Sequence, residues 1–302
     1  MEHHHTRKDF GMILAIQTTA LKSIHDFFHE RGFYQIMPVI ISPITDPLAH
    51  STGPATITYK RQKLQLTKSM IFHKQLALMA EGHHRIYCVS PNIRLEHDKC
   101  NGTGRHLLEF SQVDFEVKEA TADRTMLMVE ELVMRVIREV KQKHEPELEM
   151  LGRELTIPRP MFPVYDSREM REKFGEDFED KLSGMHSTPF WIVNHDREFY
   201  DREDPDRPDY YLNYDLVWPE GYGEALSGGE REFEFDRIRK RMDKLGKFAS
   251  YKEYMRLAKL KQLKPSAGGG IGVERLIRFL CGKPHISDVV LFPKVPGEKI
   301  MF

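Results

Sequence analysis

Two segments far apart in the sequence hold the residue types that bind phosphate and carboxylate groups. The first, residues 85–117, reads R-I-Y-C-V-S-P-N-I-R-L-E-H-D-K-C-N-G-T-G-R-H-L-L-E-F-S-Q-V-D-F-E-V. It is an alternating run, a polar loop and a second alternating run, the pattern of two strands joined as a hairpin. Phe110, Gln112, Asp114 and Glu116 share one face of the second strand, opposite Val113 and Phe115, while Arg94 and Glu96 stand at the far end of the first. Such a face either meets solvent or lines a polar pocket. The second segment, Gly268-Gly269-Gly270-Ile271-Gly272-Val273-Glu274-Arg275-Leu276-Ile277-Arg278-Phe279-Leu280, is a glycine-rich strand entering a helix. Its glycines imply close approach of the backbone to something flat or phosphorylated. Arg275 falls in the first helical turn, where the dipole disfavours a cation, so it either pairs with a nearby carboxylate or serves a ligand. No GxxxxGK[ST] occurs, and the glycines do not fit GxGxxG followed by a ribose-binding acid, which sets aside the P-loop and the dinucleotide fold.

A guanidinium fork binds phosphate oxygens bidentately, which makes Arg94 and Arg275 the candidates for a polyphosphate. Magnesium takes hard oxygen ligands and keeps several waters. Glu224 and Ser227 present two such oxygens at short spacing, with Asp215 on a preceding strand, although bare carboxylates of this kind are also common on surfaces.

The elements that must position these groups follow from periodicity. Ile13, Ile16, Leu21, Ile24, Phe27 and Phe28 mark a helix over about 6–31 that Gly32 closes. Residues 33–41 form an apolar strand interrupted by Pro38, which belongs at a sheet edge. Residues 42–53 are a loop by their proline, glycine and small polar content, the kind of segment from which substrate lids are made. A strand is expected at 63–66, a helix at 69–81 and a long amphipathic helix at about 121–143 with Leu127, Leu132, Val136 and Val140 on its apolar face. Residues from about 145 to 210 read as an inserted segment of prolines, loops and one short helix capped by Asp166, with its charges solvated. Strands at 189–193 and 210–218 and helices at about 233–245 and 250–263 complete the pattern.

The 302 residues form a single expected catalytic domain. Lysine plus arginine (45) and aspartate plus glutamate (46) nearly cancel, so net charge gives no nucleic-acid footprint, although a local basic patch could still bind RNA. Cys88, Cys100 and Cys281 are widely spaced, which argues against a disulfide framework and a zinc site and for a reducing, cytoplasmic location. No apolar run approaches membrane length.

The motifs together resemble those of class II aminoacyl-tRNA synthetases. Arg94-Leu95-Glu96, the polar loop and Arg105-His106-Leu107-Leu108-Glu109-Phe110 are similar to the second signature of that family, and residues 270–275 to the third. Lys74-Gln75, Glu224-Ala225-Leu226-Ser227-Gly228-Gly229-Glu230-Arg231 and Ile286-Ser287-Asp288-Val289-Val290-Leu291-Phe292-Pro293 look like the aspartyl and asparaginyl branch. The resemblance covers nearly the whole chain from about Phe10. It implies an α+β fold with an antiparallel sheet flanked by helices, and a homodimer built through residues 33–41; an ordinary edge strand in a monomer is the alternative. It also implies ATP and Mg2+, with Arg94 on the α-phosphate, Glu96 accepting from the adenine amino group, Arg275 at the γ-phosphate and ring face, and His106 and Phe110 at the same site. Asp215, Glu224 and Ser227 would hold the ion. Lys74 and Arg231 would clamp a carboxylate of L-aspartate, Asp114 would take its ammonium, and Gln112 would line the same pocket.

Aspartyl- and asparaginyl-tRNA synthetases carry an anticodon-binding barrel ahead of this core, and the first helix here begins almost at Met1. From that, tRNA is not expected as a partner, and the chain is similar to the free-standing archaeal ammonia-dependent asparagine synthetases of the same class. Ile71 stands where the tRNA ligases have a polar glutamine, and residues 42–53 contain no glutamate to cover the substrate ammonium. Aspartate bound in reverse would then present its β-carboxylate to ATP, and ammonia would convert the β-aspartyl adenylate to asparagine and AMP. Asp46 is the candidate to take a proton from ammonium, against its alternative as a turn-former before Pro47. A tRNA ligase core and a catalytically silent adenylate binder are the competing expectations.

Overall fold

Apolar residues at three- and four-residue intervals build the first element: α1 (Phe10–Glu30) buries Phe10, Ile13, Ile16, Ala20, Ile24, Phe27 and Phe28 along one stripe. The structure, a computed structural model, describes residues 7–245 and 248–301. The run at 33–41 yields only two short pieces, β1 (Tyr34–Gln35) and β2 (Ile41–Ser42), because Pro38 between them has no N–H to give a ladder. β2 joins β3 (Thr56–Tyr59) and β4 (Gln62–Leu66) in a small sheet of order β2-β4-β3. The next helix, α2 (Ile71–Ala77), is shorter than the expected 69–81, yet it keeps Lys74 and Gln75, both buried.

The expected hairpin is present as β5 (Arg85–Ile93) and β6 (Glu109–Lys118), antiparallel, with Cys88 opposite Asp114 and Ser90 opposite Gln112. Thr121 then caps α3 (Ala122–Lys143) by accepting from the Arg124 N–H. Its buried face is Met126, Val129, Leu132, Val133, Val136, Ile137 and Val140. Leu127, expected among them, is 51% exposed. It lies five positions before Leu132, which places it well round the helix from that stripe.

Residues 145–210 correct the sequence reading. They supply α4 (Glu145–Met150), β7 (Val164–Asp166), α5 (Ser167–Phe174) capped by Asp166, α6 (Phe178–Met185) and β8 (Phe190–Val193). After them come β9 (Asn213–Trp218), β10 (Gly223–Glu230), α7 (Phe235–Leu245), α8 (Lys252–Lys259), β11 (Ser266–Gly272) and α9 (Val273–Leu280). One eight-stranded sheet of order β1-β5-β6-β11-β10-β9-β8-β7 holds β7 and β8 as its far edge, so the segment is part of the main framework. Only the two outermost pairs, β1 with β5 and β7 with β8, are parallel. The fold is therefore α+β, a mostly antiparallel sheet flanked by helices.

Helices α1, α3 and α9 cover one sheet face, and the main core lies beneath them, including Phe28, Val113, Phe115, Val133 and Ile277. Alternation along β6 then directs Gln112, Asp114 and Glu116 to the opposite face. That face is no solvated surface, because Asp114 is 1% and Glu116 0% exposed. A second apolar cluster of Ile71, Phe72, Phe199, Tyr200, Tyr251 and Tyr254 borders it, and α2 is fixed there by the rings around Phe72.

Candidate active site

Strand register builds the floor of the site. Asp114 on β6 lies opposite Gly270 on β11, Gly270 opposite Ser227 on β10, and Ser227 opposite Asp215 on β9. Directly opposed residues share a face, so Asp114, Ser227 and Asp215 form one row separated by a glycine. The glycines of β11 are needed for the side chains of β6. A Cβ at Gly268 would overlap the Glu116 carboxylate and the Phe115 carbonyl, and one at Gly270 would sit 2.9 Å from Gln112 Nε2 and 3.1 Å from Asp114 Oδ1. At Gly268 and Gly270 the close approach is made by the protein's own polar groups, while Gly270 and Gly272 also line the cavities on this face.

Two cavities, one smaller than the other, open on this floor, and they share Arg94, Gln112 and Glu224. In the smaller one the Arg94 guanidinium lies 5.0 Å from the Phe110 ring centre, and its Nε donates to the Lys68 carbonyl at 3.1 Å. Arg275 meets the Glu224 carboxylate at 3.0 Å and donates to the Glu224 and Arg105 carbonyls at 3.3 Å. Of the two alternatives for Arg275 the pairing is seen, with Glu224, and the residue also lines the cavity. Burial opposes ionisation of Glu224, yet Arg275, Arg94 and Arg105 hold its carboxyl down to about 2. His106 lines the same cavity with its Nδ1 2.6 Å from Thr103 Oγ1. Burial, with Arg275 and Arg105 nearby, pushes it down to about 4, so it works as a neutral ring. Glu96, 8% exposed, accepts from His50 Nε2 at 3.0 Å on both oxygens.

The larger cavity is lined by Asp46, Ile71, Lys74, Gln112, Asp114, Ser227 and Arg231. Lys74 Nζ donates to Asp114 Oδ1 at 2.6 Å and to the Gly269 carbonyl at 2.9 Å. Arg231 forks onto Glu116 at 2.9 and 3.1 Å, and Ser266 Oγ adds a third bond to that carboxylate at 2.8 Å. The expected cationic clamp is therefore internally neutralised, but its donors are not used up. An ammonium has three N–H groups and a guanidinium five, whereas Glu116 has three of its roughly four acceptor positions filled. The pocket is left with surplus donors, which suits a ligand end that can only accept. Asp46, 6% exposed, accepts from the Leu48 N–H at 3.0 Å and from Tyr200 Oη at 3.1 Å, so it forms the turn and faces the cavity as well.

For an ion, Glu224 and Ser227 fit: the Glu224 side chain is 38% exposed into the cavities and strongly ionised. Asp215, expected beside them, has both oxygens engaged by Arg197 Nη1 at 2.8 and 2.9 Å. No group of three or more His, Cys, Asp or Glu side chains able to hold a metal occurs among the described residues.

Four neighbours were not singled out from the sequence as part of the site. Arg197 anchors Asp215 and reaches Asp201 at 3.2 Å and the Gly228 carbonyl at 3.0 Å. Glu179 on α6 lies 3.8 Å from Arg105, and burial together with the charges of Glu224 and Asp215 raises its carboxyl to about 7. Both belong to the segment expected to be solvated. Arg105 lines the smaller cavity and His50 the larger. Arg105 stands in the second-signature run and His50 in the 42–53 loop, whereas no spacing marks Arg197 or Glu179, which only the fold brings in.

Residues 3–296 match the family model of tRNA synthetases class II (D, K and N). An asparagine–tRNA ligase of Pelotomaculum thermopropionicum is 33% identical over 304 residues, covering 94% of this chain and 69% of the ligase. One from Thermus thermophilus is 28% identical, with 98% and 73% covered. The crystal structure of asparaginyl-tRNA synthetase from Pyrococcus horikoshii complexed with asparaginyl-adenylate superimposes with a TM-score of 0.87 at 25% identity, over 97% of this chain and 70% of that one.

Proposed function

The chain belongs to the class II tRNA synthetases (D, K and N), and we propose that it is an adenylate-forming ligase that activates L-aspartate with ATP. The observation that carries this is the pair of joined cavities, one walled by Arg94, Phe110 and Arg275 and the other by the Lys74–Asp114 and Arg231–Glu116 pairs. The base stacks in the Arg94–Phe110–Arg275 cavity with its amino group toward Glu96, and the arginines neutralise the phosphates. Aspartate lies in the other, one carboxylate on the spare donors of Lys74 and Arg231 and its ammonium toward Asp114. Its second carboxylate, already an anion, attacks the α-phosphorus in line, and pyrophosphate leaves; positioning and charge neutralisation supply the catalysis. Glu224 and Ser227 are the residues that would hold magnesium, which when bound spreads the phosphate charge. The surplus of donors favours aspartate, whose carboxylate only accepts, over asparagine, whose amide NH2 would add a further donor.

Two acceptors compete for the adenylate. The names of the relatives favour tRNA, and on that reading the chain is the catalytic core of a ligase of the aspartate and asparagine branch. Ile71 favours ammonia: it is 4% exposed and lines the amino-acid cavity with a side chain that offers no hydrogen bond. Asp46 in the same cavity would take the proton of ammonium, and asparagine and AMP would result. A homodimer accompanies either reading, because Tyr34 on β1 and Met37 and Ile40 just after it are 60, 84 and 52% exposed.

The test supplies ATP, magnesium and aspartate, and then ammonium or tRNA. Aspartate-dependent exchange of pyrophosphate into ATP supports the adenylation; exchange driven by asparagine alone would overturn the substrate. Asparagine and AMP in equal amounts without tRNA select the ammonia reading. Product that appears only with tRNA selects the ligase.

A further inference from the structure

A chain of polar side chains lies beneath the site, and donor and acceptor chemistry dictates its direction. β5 carries Ser90 and Asn92 on the face that β6 lines with Gln112 and Asp114. Ser90 and Asn92 are both 0% exposed, and neither lines a cavity. Ser90 stands directly opposite Gln112, so the side chains meet their partners on the diagonal, Ser90 with Asp114 and Asn92 with Gln112.

The Asp114 carboxylate sets the direction. It accepts from Lys74 on Oδ1, and Ser90 Oγ turns its single hydrogen to Oδ2 at 2.6 Å. Ser90 Oγ is then left as an acceptor, so the Asn92 amide must face it with its NH2. Asn92 Nδ2 lies 3.2 Å from Ser90 Oγ, 3.2 Å from the Ser90 carbonyl and 3.1 Å from Gln112 Oε1. Turned over, that amide would set its oxygen against three acceptors. Gln112 therefore gives its oxygen to Asn92, and its Nε2 is the end that remains for the site. The neighbouring strand agrees: a Cβ at Gly270 would meet Gln112 Nε2 at 2.9 Å, and Gly270 lines the amino-acid cavity. Asn92 Oδ1 has no hydrogen-bond partner among the described residues. A buried acceptor left unpaired is costly, so what Asn92 contributes lies on its NH2 side.

We infer that Asn92 is a positioning residue: it holds the Gln112 amide with its N–H toward the junction of the two cavities, where that donor aligns the reacting carboxylate. This rests on the reading of the cavities as the ATP and aspartate sites. Gln112 lines both, so it stands where the carboxylate of one substrate meets the α-phosphate of the other. A carboxylate oxygen accepts the Gln112 N–H and is held for in-line attack by the other oxygen. Without Asn92 the amide is free to turn, and its carbonyl would then repel the same group.

The experiment has a structural and a kinetic arm, both in the full chain. With the glutamine side chains labelled with 15N, the Gln112 amide protons should show a nuclear Overhauser contact to the Gly270 Hα protons, and Asn92→Val should lose it. Absence of that contact in the unsubstituted protein overturns the orientation, whether or not Asn92→Val folds. In aspartate-dependent pyrophosphate exchange, Asn92→Val should lower kcat/KM for aspartate about fivefold to tenfold, the size of one misdirected hydrogen bond. KM for ATP should stay within about twofold, since the Arg94–Phe110 face is untouched. Gln112→Met should show a similar loss, and Asn92→Val added to it should cost nothing further, because Asn92 acts only through Gln112. Additive losses, or equal rises in both KM values, would make Asn92 a general packing residue and overturn the role. No exchange by the unsubstituted chain, with the Overhauser contact present, overturns the aspartate reading and the role at the junction but leaves the orientation of Gln112 standing.

Discussion

The Lys74 ammonium lies 2.6 Å from the Asp114 carboxylate, with both side chains at most 3% exposed, so the charge that would clamp a substrate is balanced before the substrate arrives. Removing one partner strands the other. Lys74→Met should destabilise the fold by about 3–5 kcal/mol through the uncompensated Asp114, and Lys74→Met with Asp114→Asn should recover much of that loss. Urea unfolding reads the difference. A single substitution costing less than about 1 kcal/mol would show that the pair is solvated in the working protein. Both variants should lose aspartate-dependent pyrophosphate exchange, since neither offers the donor.

His106 sets a pH dependence with a definite sign. Free histidine protonates near 6.5, whereas burial and the neighbouring arginines keep folded His106 neutral until about 4. Between those values the unfolded chain binds more protons than the folded one. Its contribution is complete above about 6.5 and is lost as pH falls toward about 4. The unfolding midpoint of the unsubstituted protein should therefore fall more steeply across pH 6.5 to 4 than that of His106→Gln. Parallel profiles for the two would mean that His106 titrates as a free ring.

The strand hairpin and the glycine strand were legible because period-two alternation and glycine runs are local signals. They are seen where expected, β5 with β6 and β11 into α9. What those signals do not contain is strand order. That β11 lies between β6 and β10 decides that Gly268 and Gly270 serve Glu116 and Asp114, and that Ser227 and Asp215 share their row. Arg197 and Glu179 were missed for the same reason. Each sits in a charge-rich stretch that reads as solvated until β8 and α6 are placed against β9 and β10. Leu127 erred the other way, since an apolar residue in an amphipathic helix is no guarantee of a buried one.

The apolar edge beside β1 should behave as an interface. Met37 is 84% exposed, with Tyr34 and Ile40 also open to solvent. Met37→Glu places a charge at the centre of that patch, which would have to be desolvated in a paired state. Sedimentation should show a dimer for the unsubstituted chain and a monomer for the variant, with thermal stability of the monomer little changed. A monomer in both would remove the homodimer.

Glu224 and Asp215 can be separated by metal binding, because the structure gives them different partners. Glu224 faces the cavities with Arg275 on one oxygen, whereas Arg197 occupies both oxygens of Asp215. An oxygen already bonded to a part-buried guanidinium is a poor ligand for a divalent ion that demands near-ideal geometry. Glu224→Gln should therefore weaken magnesium binding in the presence of ATP by about tenfold or more, as loss of an ionised hard ligand does. Asp215→Asn should leave that affinity within about threefold and lower stability instead, by about 1–3 kcal/mol, because it takes from Arg197 a buried charge partner. Manganese binding followed by electron paramagnetic resonance reports the first quantity and urea unfolding the second. Equal loss of metal affinity in both variants would mean that Arg197 releases Asp215 when nucleotide binds, and would return Asp215 to the ion beside Glu224 and Ser227.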